Sequence, residues 1–158
     1  GTCEIAASVY LQLVLDGEID DGDDGGIRRY LQQISSSVER MVIQSFCKAM
    51  EEIPLTLCHN AGASPVSTLN QLKRIHKKAL LLTSDSAQLN NDASQPQPSL
   101  RRGLFIPQSD SGPVVQISDM FTNGVIEPFA SKYAQWQMAT NAALQILKID
   151  GMFERRGQ

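Results

Sequence analysis

Long apolar runs, paired cysteines and base-rich tracts are all missing from this chain of 158 residues. No stretch approaches the roughly 18–20 continuous apolar residues that a membrane-spanning helix requires, so no membrane segment is expected. The N-terminus lacks the basic-then-apolar pattern of a secretory signal and opens at Gly1-Thr2-Cys3-Glu4, which reads as the middle of a domain. Cys3, Cys47 and Cys58 are an odd number without CxxC spacing. That excludes a disulfide framework or zinc site and predicts buried, reduced thiols in a cytosolic protein. Six of the 17 acids (Asp16, Glu18, Asp20, Asp21, Asp23 and Asp24) fall in one short run that holds no base. The slight basic excess of the remainder is scattered, which argues against a nucleic-acid partner.

Catalytic signatures are missing too: there is no GxSxG, no GxxxxGK[ST] and no HExxH. His59 and His76 have no second ligand at metal spacing, so each is expected to be a surface or capping histidine. Neither a catalytic residue nor a metal ligand is predicted. What remains is 42% hydrophobic and 20% charged, the balance of a single soluble domain with a sizeable core.

Four segments carry a helical period. The first, Cys3 to Leu15, has Ile5, Val9, Leu11, Leu13 and Val14; it suits a buried helix, with a strand as the alternative. The second is predicted from Ile34 to Glu52, with Val38, Met41, Val42, Ser45, Phe46 and Met50 on its buried side. Pro54 is expected to end it, because proline lacks the backbone donor and clashes with the preceding turn. A short helical turn over Leu55–Cys58 follows, with Gly62 suited to a left-handed cap. The third starts at the N-cap Ser64 with Pro65 in its first turn and continues through Val66, Leu69, Leu72, Ile75 and His76. The fourth runs from Pro128 to about Asp150, with Phe129, Tyr133, Trp136, Thr140, Ala143, Leu144 and Leu147 inward. Gly103–Ile106 reads as a short strand and Val114–Thr122 as a short helix closing at Asn123-Gly124. The class is mainly α, with room for a small β-hairpin.

Two polar segments interrupt this order. Asp16–Gly26 has Asp at five of eleven positions and Gly at four, a composition that cannot bury a core, and no register of it completes an EF-hand. Thr83–Arg102 is rich in Ser, Asn, Gln and Pro and reads as a disordered segment. Near the C-terminus, Glu127 precedes a proline-started helix and Lys132 lies one turn into it. A carboxylate there can accept hydrogen bonds from sugar hydroxyls, with an ammonium to balance phosphate. An acid favouring the helix dipole and a solvated lysine is the plainer alternative.

Three blocks, in order, resemble those of group II chaperonins and together cover about two-thirds of the chain. Gly1-Thr2-Cys3-Glu4-Ile5 resembles the end of their Gly-Gly-Gly-Ala-x-Glu motif. Phe46 through Gly62, with Ile53-Pro54-Leu55-Thr56-Leu57 and Asn60-Ala61-Gly62, is similar to "FAdAlEvIPrTLAENAG". Asn123-Gly124-Val125-Ile126-Glu127-Pro128, then Ala139-Thr140-Asn141-Ala142-Ala143 and Ile146-Leu147-Lys148-Ile149-Asp150, is similar to "nGVIEPlrvK…ATeAAxxILrIDd". The resemblance is nearest to the eukaryotic cytosolic (CCT/TRiC) type, mixing features of the delta, epsilon and theta subunits.

The resemblance implies that residues 1–158 are the C-terminal part of an equatorial, ATP-binding domain, with polar insertions at about 16–29 and 83–102. It implies a cytoplasmic, ATP-dependent folding machine, built as a double ring with other chaperonin subunits, whose unfolded clients bind through domains absent here. ATP or ADP with Mg2+ would be the cofactor of the complete subunit. Carried over by motif, the nucleotide-binding residues are Gly1, Gly103, Glu127 and Lys132, although Leu104-Phe105 departs from the family's Gly-Ile-Asp. The phosphate-binding Gly-Asp-Gly-Thr-Thr motif and the catalytic aspartate region do not occur in this sequence. The parent would be an ATPase, this portion alone not catalytic and without a metal site. A chaperonin-like scaffold or assembly factor without ATPase activity is the alternative.

Overall fold

The computed structural model describes residues 1–19, 36–85, 100–107 and 114–151. Within them lie four helices and one antiparallel pair of strands: α1 (Thr2–Asp16), α2 (Ser37–Asn60), α3 (Pro65–Asp85), β1 (Arg102–Phe105), β2 (Gln116–Asp119) and α4 (Phe129–Leu147). The mainly α class with a small sheet is the one expected. Most of both polar segments lies outside the described residues. Their described ends are structured: Asp16 and Gly17 close α1, Thr83–Asp85 belong to α3, and Arg102 opens β1. The chain divides into two compact units, Gly1–Gly124 and Val125–Gln158.

In the first unit α1 is helical, not extended. Ile5, Val9 and Leu13 recur every fourth position, and this stripe packs with Leu69 and Leu72 of α3 and with Ile19. Gly17, at φ 73°, ends α1. Its N–H donates to Val14 O and that of Glu18 to Leu13 O, the paired bonds of a Schellman cap. The chain thereby turns Ile19 back into the core, so the interior reaches past the boundary that composition suggested.

Pro54 does not end α2; it lies inside the helix and is fully buried. Interior proline costs about 3 kcal/mol against alanine, and what offsets it here is packing. Cys47, Met50, Glu51, Pro54 and Cys58 form the inward stripe at helical spacing. Val38, Met41 and Val42, expected inside, are more than 60% exposed, and Phe46 is 39% exposed. Of the residues expected on that side, Met50 is the buried one. At the N-terminus Ser36 Oγ accepts from Val38 N–H, a side-chain cap that starts the helix at Ser37, three residues after the predicted Ile34. Gly62, at φ 69°, provides the expected left-handed cap.

The third helix begins at Pro65, with the Ser64 carbonyl accepting from Thr68 N–H. It buries Leu69, Leu72, His76 and Ala79, while Val66 is exposed. Residues 116–119, expected to be helical, instead form β2 opposite β1, in the register Arg102↔Asp119 through Phe105↔Gln116. The physical reason is Ile117, which packs against the α1–α3 core alongside Leu104, leaving its polar neighbours Gln116 and Ser118 on the opposite face.

In the second unit, α4 has its apolar positions where the period placed them, but it buries none of them. Phe129 and Leu147 are at least 80% exposed. Among the described residues this unit contains one helix and no second layer, so it builds no core of its own.

Candidate functional site

Gly1 and Gly103 belong to the first unit. Gly1 precedes α1, and a Cβ on it would meet Pro54 at an ordinary 3.5 Å. Gly103 is different. A Cβ there would lie 2.1 Å from Thr2 Oγ1 and 2.7 Å from Met120 Cγ, so only glycine lets β1 approach the head of α1. Gly103→Ala is expected to destabilise the unit by about 1–3 kcal/mol through overpacking. Adding Thr2→Ala should recover part of that loss by removing the hydroxyl. Denaturant unfolding of both single variants and the double checks this; strictly additive effects would contradict the contact.

His76 is a correction to the surface or capping role expected for it: its side chain is fully buried. The ring Nε2 lies 2.8 Å from the Arg102 carbonyl oxygen, and Nδ1 has no hydrogen-bond partner. A carbonyl only accepts, so Nε2 carries a proton, and the buried Nδ1 without a partner favours the neutral ring. Burial pushes the imidazole below its ordinary range, opposed in part by the Arg102 carbonyl. With a folded pKa below the unfolded one, the unfolded chain takes up the proton first as pH falls. Stability is therefore full above about pH 6.5 and declines below it, by up to about 1.4 kcal/mol per pH unit. Urea unfolding between about pH 7.5 and 5.5 should show this slope, and His76→Gln should remove it. His59, by contrast, is exposed, as expected.

A buried polar cluster that no motif announces joins α1, α2 and α3. Ser8 Oγ at 2.6 Å, Lys73 Nζ at 2.8 Å and Gln12 Nε2 at 3.1 Å all donate to Glu51 Oε1. Burial alone would raise the Glu51 pKa; the bonds from Lys73, Ser8 and Gln12 outweigh it and hold the carboxylate below its ordinary range. The cluster opens on a groove of about 360 Å³ between α1 and α3, lined by Gln12, Asn70, Lys73 and Arg74 among others. Cys47 and Cys58 are buried, and burial raises both thiols, which makes them poor nucleophiles; Cys3 is exposed, against expectation.

Glu127 and Lys132 belong to the second unit, where the structure brings them together. Lys132 Nζ lies 2.7 Å from Glu127 Oε2, and Gln135 Nε2 donates to Glu127 Oε1 at 2.6 Å. Lys132 Nζ also donates to Gln135 Oε1 at 3.2 Å, which closes a triangle over the first turns of α4. Pro128 is the N-cap in extended conformation, so Glu127 lies just outside the helix, where the next turn's side chains reach it. Lys132 is therefore an oriented partner, not a solvated lysine. Gln135 belongs to no motif and carries no charge, so only the side-chain geometry shows its amide on Glu127. A carboxylate with two oxygens retains lone pairs for further donors such as sugar hydroxyls.

Among the described residues, no group of three or more His, Cys, Asp or Glu is arranged to hold a metal ion. Nor is any described helix long and apolar enough to cross a membrane.

The chain belongs to the TCP-1/cpn60 chaperonin family, whose model matches residues 23–156. It is 26% identical over 151 residues to a thermosome subunit beta from Aeropyrum pernix, covering 92% of this chain and 23% of that protein. It is 31% identical over 112 residues to a thermosome subunit alpha from Thermoplasma acidophilum, covering 71% of this chain and 16% of that protein. A T-complex protein 1 subunit alpha from Schistosoma mansoni is 27% identical over 154 residues, covering 98% of this chain and 22% of that protein. The chain thus spans less than a quarter of the length of these relatives. No solved structure matches it.

Proposed function

We propose that this chain is the C-terminal part of the equatorial domain of a group II chaperonin subunit and supplies the adenosine side of its nucleotide site. The observation that carries the reading is the Glu127–Lys132–Gln135 triangle, which holds a carboxylate in one orientation within the segment Asn123–Pro128 that resembles the family's. Glu127 accepts hydrogen bonds from the ribose hydroxyls, and Lys132 keeps that carboxylate charged and balances nearby phosphate. Gly1 and Gly103 present backbone without side chains to the base, and the close approach at Gly103 supports a position where no Cβ is tolerated.

The complete subunit then works as a cytoplasmic, ATP-dependent folding machine in a double ring with other chaperonin subunits, its unfolded clients bound by domains outside this chain. ATP or ADP with Mg2+ is its cofactor. Glu127 offers a carboxylate for sugar hydroxyls, whereas no group among the described residues is arranged to hold a metal ion, so no step is assigned to the metal. Phosphoryl transfer needs aligned phosphates, a metal and a positioned nucleophile. This chain alone is therefore expected to release phosphate from ATP no faster than buffer does. Turnover by the purified chain at the rate of a complete chaperonin would contradict the reading.

A further inference from the structure

The two-stranded sheet has an outer edge that the helices cover, and one side chain secures it. Met120 N–H donates to Arg101 O, so the pair 101–120 is a hydrogen-bonded pair of the ladder. With Arg102 opposite Asp119, the next pair is of the non-hydrogen-bonded kind, and the Arg102 carbonyl points away from β2. That carbonyl would be an unmet acceptor at the edge of the sheet; His76 Nε2, 2.8 Å away on α3, meets it. The imidazole is fully buried, and its Nδ1 has no partner, so the ring has this one polar attachment and no competing one. The next residue along β1 is Gly103, whose Cα lies against Thr2 and Met120 with no space for a methyl group.

We infer that His76 is a positioning residue for Gly103: it clamps β1 to α3 through Arg102 and so fixes the glycine against the head of α1. The inference rests on the nucleotide reading of Gly1 and Gly103 and adds to it a residue that touches no ligand. Leu104 anchors β1 on the core, while the His76 donor fixes the backbone at Arg102; without that donor the wall formed at Gly103 is free to shift. His76 acts through backbone, so its effect depends on a donor at the Nε2 position rather than on charge or volume.

The test uses the complete subunit with ADP as the probe, titrated calorimetrically well below the melting temperature. His76→Leu fills space without a donor, His76→Asn places an amide near the Nδ1 position, and His76→Gln places one near Nε2. Affinity is expected to fall about tenfold in H76L and H76N and to return to within about threefold of the parent in H76Q. Amide exchange at Gly103 should quicken in the same order. Equal losses in H76N and H76Q overturn the inference, and this comparison decides the matter even where H76L fails to fold. Unchanged affinity in H76L, alongside a loss in Glu127→Ala, overturns it as well. Unchanged affinity in Glu127→Ala would show the nucleotide reading itself to be wrong, and the inference falls with it.

Discussion

Glu51→Ala should destabilise the chain by about 2–4 kcal/mol, the largest folding effect expected of a single substitution here. Three donors from two other helices converge on one oxygen of this carboxylate, and Ser8 is fully buried. Truncation leaves those donors in the interior without their acceptor. Breaking a fully buried ion pair typically costs about 3–5 kcal/mol. The lower figure applies because Lys73 is 27% exposed along the groove and can turn toward water. Glu51→Gln keeps the shape and an acceptor but not the charge, so a loss of about 1–2 kcal/mol is expected. The pH dependence follows from the lowered pKa. A depressed carboxylate contributes fully above its unfolded pKa, near 4.5, and loses that contribution as pH falls through the folded value. This acid window lies below the one set by His76, so unfolding of the Gln variants at each site separates the two. Equal stability of Glu51→Ala and the parent would mean that the cluster is not formed in solution.

In the complete subunit, Glu127→Ala should lower nucleotide affinity about ten- to hundred-fold. A hydrogen bond to a charged acceptor contributes about 1.5–3 kcal/mol, and that is the interaction removed. Glu127→Gln should lose less, because the amide keeps one acceptor and adds a donor of its own. Melting without nucleotide should change little. The Glu127 side chain is 38% exposed, and exposed ion pairs contribute only about 0–1 kcal/mol. The plainer alternative, an acid serving the dipole of α4, predicts the reverse: about 0.3–1 kcal/mol of folding stability and no change in affinity. Calorimetric titration and thermal melting of one variant give both quantities.

Local signals carried well from sequence to structure, and signals that needed a partner did not. Gly62 as a left-handed cap, Pro65 at a helix start and the strand at Gly103 were legible because each rests on backbone chemistry within a few residues. The inward face of α2 was not. Pro54 normally ends a helix, and tertiary burial of its ring reverses that; Val38, Met41 and Val42 keep a helical period yet lie outward. The stripe from Cys47 to Cys58 was present all along at positions 47, 50, 51, 54 and 58. It included a charged residue and a proline, which hid it. His76 and Glu51 were illegible for a related reason: a buried polar residue is recognised by its partner, and Arg102 and Ser8 lie 26 and 43 residues away. At the candidate site, motif placed Glu127 and Lys132, geometry paired them, and Gln135 emerged only from the side chains themselves.

In the proposed reading, the adenosine side of a chaperonin nucleotide site lies within residues 1–158. Photolabelling of the complete subunit with an azido-adenine analogue of ATP, followed by peptide mapping, tests it most directly. Label competed away by ATP should fall on the peptide that contains Gly103 or on the one that contains Gly1. Specific label confined to peptides outside residues 1–158 would contradict the claim.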